Sequence, residues 1–197
     1  MKRSLALVGA VAVLTAIPLA AQAAPLDATY DASGTSHIAK TNSDVQIKPT
    51  TLTMTADSVT AELVGHMPIP DTSTEFNVIG FLPVKATVSF VEAAPVTGKL
   101  LRGAVQTTAS YYIKLSNVKV LGFPTFAGPY CQTKDPVSIP ANTPPGATFN
   151  ILTGGPLHGE FTIGNFEHCG LNTWLINALV PGAGNTVDLN VSNGVLG

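Results

Sequence analysis

Charge and cysteine are both scarce in this chain: charged residues make up 11% of its 197 positions, and cysteine occurs twice. The few charges are scattered, so there is no basic stripe of the kind that follows a phosphate backbone, and a nucleic-acid partner is not expected. No G-x-S-x-G elbow is present, which removes the usual signature of a serine hydrolase. The glycine-rich stretches "LTGGP" and "PGAGNT" do not lead into Lys-Ser or Lys-Thr, so they read as turns rather than phosphate cradles. No internal repeat holds register, and no linker divides the chain. Beyond the N-terminus, no segment has the length or continuity of a membrane-spanning helix.

The N-terminus itself is the exception. Lys2 and Arg3 precede an apolar run from Leu5 to Ala20, and Ala21-Gln22-Ala23 then supplies small residues for a cleavage site. This is the pattern of a secretory signal peptide over residues 1–23. Pro18 and the Ala-Gln-Ala end the run short of the roughly 20 residues a membrane span requires. No cysteine follows it, so lipid attachment there is not expected. Removing Lys2 and Arg3 leaves eight basic against twelve acidic residues, a net charge of −4. The remaining 24–197 are expected to form one domain. Fifteen prolines and eighteen glycines mark many turns, yet 45% apolar content is too high for disorder.

What is present is alternation. In "AVQTTASYYIKL", Val105, Thr107, Ala109, Tyr111, Ile113 and Leu115 share one face, and Gln106, Thr108, Ser110, Tyr112 and Lys114 the other. One wet face suits an antiparallel sheet. A strand this long also predicts a bend or bulge. Weaker alternation recurs at Val45–Ile47, Leu52–Met54, Val59–Leu63, Ala86–Phe90, Leu157–Ile163 and Val187–Val191. Lys48-Pro49-Thr50 and Ala56-Asp57-Ser58 separate the first three at hairpin-like distances. The fold class expected is all-β, an antiparallel two-sheet sandwich with a barrel as the alternative.

His66–Pro83 and Gly122–Gly146 break the pattern and read as long connections, where binding residues tend to sit. Phe76, Phe81, Phe123, Phe126 and Tyr130 lie in or near them. They suit either the rim of an apolar cleft or plugs for the open ends of the sheets. One short helix is expected near the C-terminus. Leu171, Trp174, Leu175, Ala178 and Leu179 form its apolar stripe, and Pro181-Gly182 ends it. Too short to be stable alone, it must dock on the sheet. Trp174 then belongs to a core cap, or to a lid or membrane-seeking element.

The stretch Phe166-Glu167-His168-Cys169-Gly170 sets a carboxylate, an imidazole and a thiol side by side. Adjacent residues of an extended segment point to opposite faces, so adjacency does not make a catalytic dyad. With Cys131 as the second cysteine of an exported chain, a Cys131–Cys169 disulfide is expected instead. It would close a loop of about 38 residues and stabilise by roughly 4 kcal/mol. His158-Gly159-Glu160 could contribute to a metal site, but its spacing fits no zinc motif. A wet strand face opposite Leu157, Phe161 and Ile163 accounts for it. His37 and His66 have no partner pattern, and no metal or cofactor is expected.

Three stretches, "YDASGTSHIAKTNSDVQI", "YYIKLSNVKVLGFP" and "GEFTIGNFEHCGLNTWLINALVPGAGNTVDLNV", make the chain resemble a group of uncharacterised secreted all-β proteins of actinobacteria. The resemblance implies an exported all-β domain with Cys131 and Cys169 as a matched pair, and it implies no activity. The function expected is that of a secreted or cell-envelope protein, non-enzymatic, binding an apolar ligand or a surface polymer. The candidate ligand-binding residues are Phe81, Phe123, Phe126, Tyr130 and Trp174. The alternatives are an extracellular hydrolase whose acids or metal are brought together by the fold, and a structural surface component.

Overall fold

Alternating burial builds the molecule. Val105, Thr107, Ala109, Tyr111, Ile113 and Leu115 are all buried, as the period of two predicts, while Tyr112 and Lys114 are half-exposed on the other face. The computed structural model describes residues 25–78, 81–125 and 127–197. The expected signal peptide, residues 1–23, lies outside them. The strands are β1 (Pro25–Ile38), β2 (Ser43–Asp57), β3 (Glu62–His66), β4 (Thr72–Val78), β5 (Leu82–Leu101) and β6 (Ala104–Val120). They continue with β7 (Phe123–Pro124), β8 (Gln132–Thr133), β9 (Val137–Asn142), β10 (Gly154–Ile163), β11 (Phe166–Glu167) and β12 (Gly182–Leu196). A 3-10 turn (Gly170–Asn172) leads into α1 (Thr173–Leu179).

The expected all-β antiparallel class with one short helix is what the described residues form. All twelve strands belong to one sheet, and every pairing is antiparallel. Its path runs β6-β9-β10-β12-β1-β2-β3-β5, and the β5–β6 ladder joins the last of these back to the first. Opposite walls meet across a single core, as the two layers of a sandwich do. The wall is apolar inside and polar outside. On β2, for example, Val45, Ile47, Leu52 and Met54 are buried while Gln46, Lys48, Thr51 and Thr53 are exposed. A membrane-spanning barrel has the reverse pattern.

The expected bulges are present, with register shifts in the β5–β6 ladder near Thr87, Ala94 and Thr97. Other expectations need correcting. Lys48-Pro49-Thr50 does not separate two strands, because β2 runs through it. The connection His66–Pro83 contains β4, which buries Thr72 and Thr74 and pairs with β5. Together β3 and β4 act as one interrupted strand between β2 and β5, with Thr74 Oγ1 donating to Asp44 O on β2 at 3.1 Å. Pro68 and Pro70 have no N–H to give and break the ladder between them. Within Gly122–Gly146 lie β7, β8 and β9, and β9 tolerates Pro140 while burying Val137, Ile139 and Ala141. There the wall is tight: a Cβ on Gly159 of β10 would lie 1.7 Å from Pro140 O.

Candidate ligand site at the helix-covered end

One end of the closed wall is formed by the β1–β2, β4–β5 and β6–β7 turns and by residues 164–181. Over that end lies α1. Beneath it is a cavity of about 100 Å³ bordered by Val84, Ala86 and Val88 of β5, Ile113 and Leu115 of β6, and Leu175, Ile176 and Leu179 of the helix. Hydroxyls reach its edge but are engaged elsewhere. Ser36 Oγ donates to Thr186 O at 2.9 Å, Thr41 and Ser43 bond each other at 2.7 Å, and Thr125 Oγ1 donates to Val118 O at 3.0 Å. The cavity therefore presents hydrocarbon.

Phe90 and Phe161 border both this cavity and a second, of about 50 Å³, midway along the interior. Met54 and Phe149 in turn border the second and a small third void of about 10 Å³ near the far end. The interior thus holds an axial series of apolar spaces divided by side chains. Strand alternation had marked many of the bordering residues as core, but nothing in that pattern distinguishes a side chain beside a void from one in full contact.

Two devices hold the lid. Cys131 and Cys169 form the expected disulfide, both fully buried, tying the residue before β8 to the start of the helical segment. Asn177 clamps Phe166 through both backbone groups, accepting from its N–H at 2.7 Å and donating to its carbonyl at 2.9 Å. Nearby, Asn185 is wholly buried and satisfied. It accepts from Ala39 N at 3.2 Å and donates to Phe161 O and Gly182 O at 3.2 and 2.7 Å. That side chain fastens three segments at the lid end, and the reading of "PGAGNT" as a turn gave no sign of it.

The helix docks on a face rotated from the one expected, keeping only Leu175 and Leu179 of the stripe towards the cavity. Its buried residue is Ile176, flanked by the half-buried Leu175 and Leu179, whereas Leu171 is 89% and Trp174 73% exposed. Of the other candidate residues, Phe81, Phe123 and Tyr130 are also exposed, and Phe126 lies outside the described residues. Phe81, Phe123, Tyr130 and Trp174 surround the covered end without bordering the cavity. Phe76 does border it.

The histidines are spread over the surface, each beside a carboxylate: His37–Asp44 at 2.8 Å, His66–Glu92 at 3.0 Å, His158–Asp188 at 2.7 Å and His168–Glu167 at 3.5 Å. His158 thus pairs across the β10–β12 ladder and not with Glu160. Among the described residues, no group of three or more His, Cys, Asp or Glu side chains is placed to hold a metal ion. The pair His66–Glu92 lies where β3 and β4 are interrupted. One Glu92 carboxylate oxygen is buried there without a hydrogen-bond partner among the described residues. Next to it the Tyr111 hydroxyl donates to Met67 O at 2.6 Å. Burial, and secondarily the Glu92 charge, push the Tyr111 phenol well above its ordinary range.

No helix among the described residues is long and apolar enough to cross a membrane. No family model, curated protein or solved structure matches the chain.

Proposed function

We propose that this is an exported, non-enzymatic protein that holds a slender apolar ligand, such as a single acyl chain, inside the closed wall beneath α1. The observation that carries this reading is the axial series of apolar cavities under a short helix. Small-molecule sites typically occupy about 300 Å³ or more, so a ligand enters when the lid swings and the partitions Phe90 and Phe161 turn aside. The lid is suited to moving. It has seven residues, no side-chain N-cap and one fully buried side chain. A helix of this length has little stability of its own. The disulfide keeps it attached while it opens. Export accords with the N-terminal signal pattern and with the disulfide.

The test is uptake of an apolar fluorescent probe, N-phenyl-1-naphthylamine, and its displacement by a saturated fatty acid. Ala86→Trp places an indole in the upper cavity and should cut uptake at least about ten-fold while the protein stays folded, since filling removes the space a ligand needs. Uptake that is absent in the parent, or unchanged by Ala86→Trp, would remove the reading.

A further inference from the structure

The wall is not laddered along its full height. β2 pairs with β1 from Ser43 to Asp57, but on its other edge only Thr53–Ala56 find partners, in β3. On β5, the ladder with β4 ends at Val88 and the ladder with β3 begins at Val96. The segment Met67–Asp71 fills the space between and belongs to no strand.

Side chains alone fasten this segment. Tyr111 Oη donates to Met67 O at 2.6 Å, Thr50 Oγ1 donates to Pro68 O, and Lys48 Nζ donates to Asp71 O. No backbone–backbone hydrogen bond reaches it among the described residues. Pro68 and Pro70 have no N–H, so they can never donate to a ladder. Lifting the segment exposes the buried Met67 and Ile69 and breaks those side-chain bonds, whereas parting a neighbouring ladder also breaks backbone pairs. The segment is therefore the part of the wall that opens most readily.

The interior lies directly behind it. Met67 and Ile69 border the second cavity, together with Ile47 and Leu52 of β2 and Phe90 of β5. A ligand coming past the lid must cross the partitions Phe90 and Phe161 to reach that cavity. One coming through the segment meets it at once.

We propose that Met67–Asp71 is a side door in the wall, a second entrance that opens ahead of the surrounding strands and admits an apolar ligand directly to the second cavity. Its ends are held by His66, tied to Glu92 at 3.0 Å, and by the β4–β5 ladder. Admission of ligand rests on the proposed cavity function, whereas the opening itself does not.

Two measurements on the full exported protein, with Cys131–Cys169 intact, test the door. The first is thiol labelling under native conditions, with Ile69→Cys in the segment and Ile47→Cys in β2 as the laddered control. Both positions are buried and border the same cavity. Position 69 should react at least about ten-fold faster than position 47. Adding Lys48→Met with Thr50→Val, which removes two of the fastenings, should speed it further. Far-ultraviolet spectra check that each variant is folded. Reaction no faster at 69 than at 47 overturns the proposal.

The second is the rate of N-phenyl-1-naphthylamine uptake. Lys48→Met with Thr50→Val should raise it at least about three-fold and leave the amount bound at saturation unchanged, because neither side chain borders the three cavities. Joining Lys48→Cys to Asp71→Cys with a short bismaleimide, at two exposed positions, should slow uptake at least about three-fold relative to the unjoined variant. Equal rates before and after joining overturn the entrance. Absent uptake in the parent would remove the cavity function, and the entrance with it, while the labelling ratio still decides the opening.

Discussion

Tyr111 joins the core, the broken seam between β3 and β4, and the proton balance of the molecule. Its hydroxyl is buried and committed to Met67 O, and its pKa is raised by burial and then by Glu92. The folded state therefore holds this proton more tightly than the unfolded chain, whose tyrosines titrate near pH 10. A group with a raised folded pKa contributes stability that is complete below the unfolded value and is lost as pH rises above it. Denaturant midpoints should hold steady up to about pH 10 and fall beyond it. Tyr30, shifted in the same direction by burial, adds to the fall. Tyr111→Phe should cost about 1–3 kcal/mol near neutral pH, because it leaves Met67 O buried without its donor. It should also flatten the alkaline decline. Parallel declines in parent and variant would show that Tyr111 is not the group responsible.

Among the elements, α1 is the least self-sufficient and the most dependent on its fastenings. Reduction of Cys131–Cys169, or replacement of both by serine, should lower stability by about 2–4 kcal/mol. Amides of residues 170–180 should exchange faster before those of β6 or β12 respond. Uniform acceleration across the wall would mean that the disulfide supports the whole sheet rather than the lid.

The docking face of this helix was misjudged for a physical reason. The stripe of Leu171, Trp174, Leu175, Ala178 and Leu179 is periodic, and Leu175 and Leu179 do face the cavity, but α1 offers apolar side chains nearly all round, and Asn177 sets the rotation by clamping Phe166. Strands were legible where burial selects large residues on alternate positions, as at Val105–Leu115. They were not where the buried residues are small or polar. On β1, Ala28, Ala32 and Ser36 face inward and leave little hydropathic contrast. On β9, Pro140 argues against a strand although its missing N–H is accommodated. The Cys131–Cys169 pairing followed from compartment and count. The cavity did not, since a void depends on how side chains from distant strands fail to meet.

At the scale of the molecule, closure of the sheet ranks the strands by what they complete. β12 lies between β10 and β1, so the final strand of the wall unites segments far apart in the chain. Removing residues 182–197 should abolish cooperative unfolding, and the shortened chain should associate, because β1 and β10 would each expose an open edge. Cooperative melting of a monomeric truncation would show that the wall does not need its last strand. The ladders join residues widely separated in sequence, such as Ala28 to Leu196 and Thr35 to Asp188. Such topologies fold slowly, in milliseconds to seconds.

The position of β12 also has a temporal consequence. A chain that emerges N-terminus first, from a ribosome or through a translocation pore, offers β1 only one of its two neighbours until the other strand arrives last. Until then the first hairpin stays half-paired and the wall cannot shut. The order of emergence thus delays closure of the wall until β12 is free to pair with both β1 and β10.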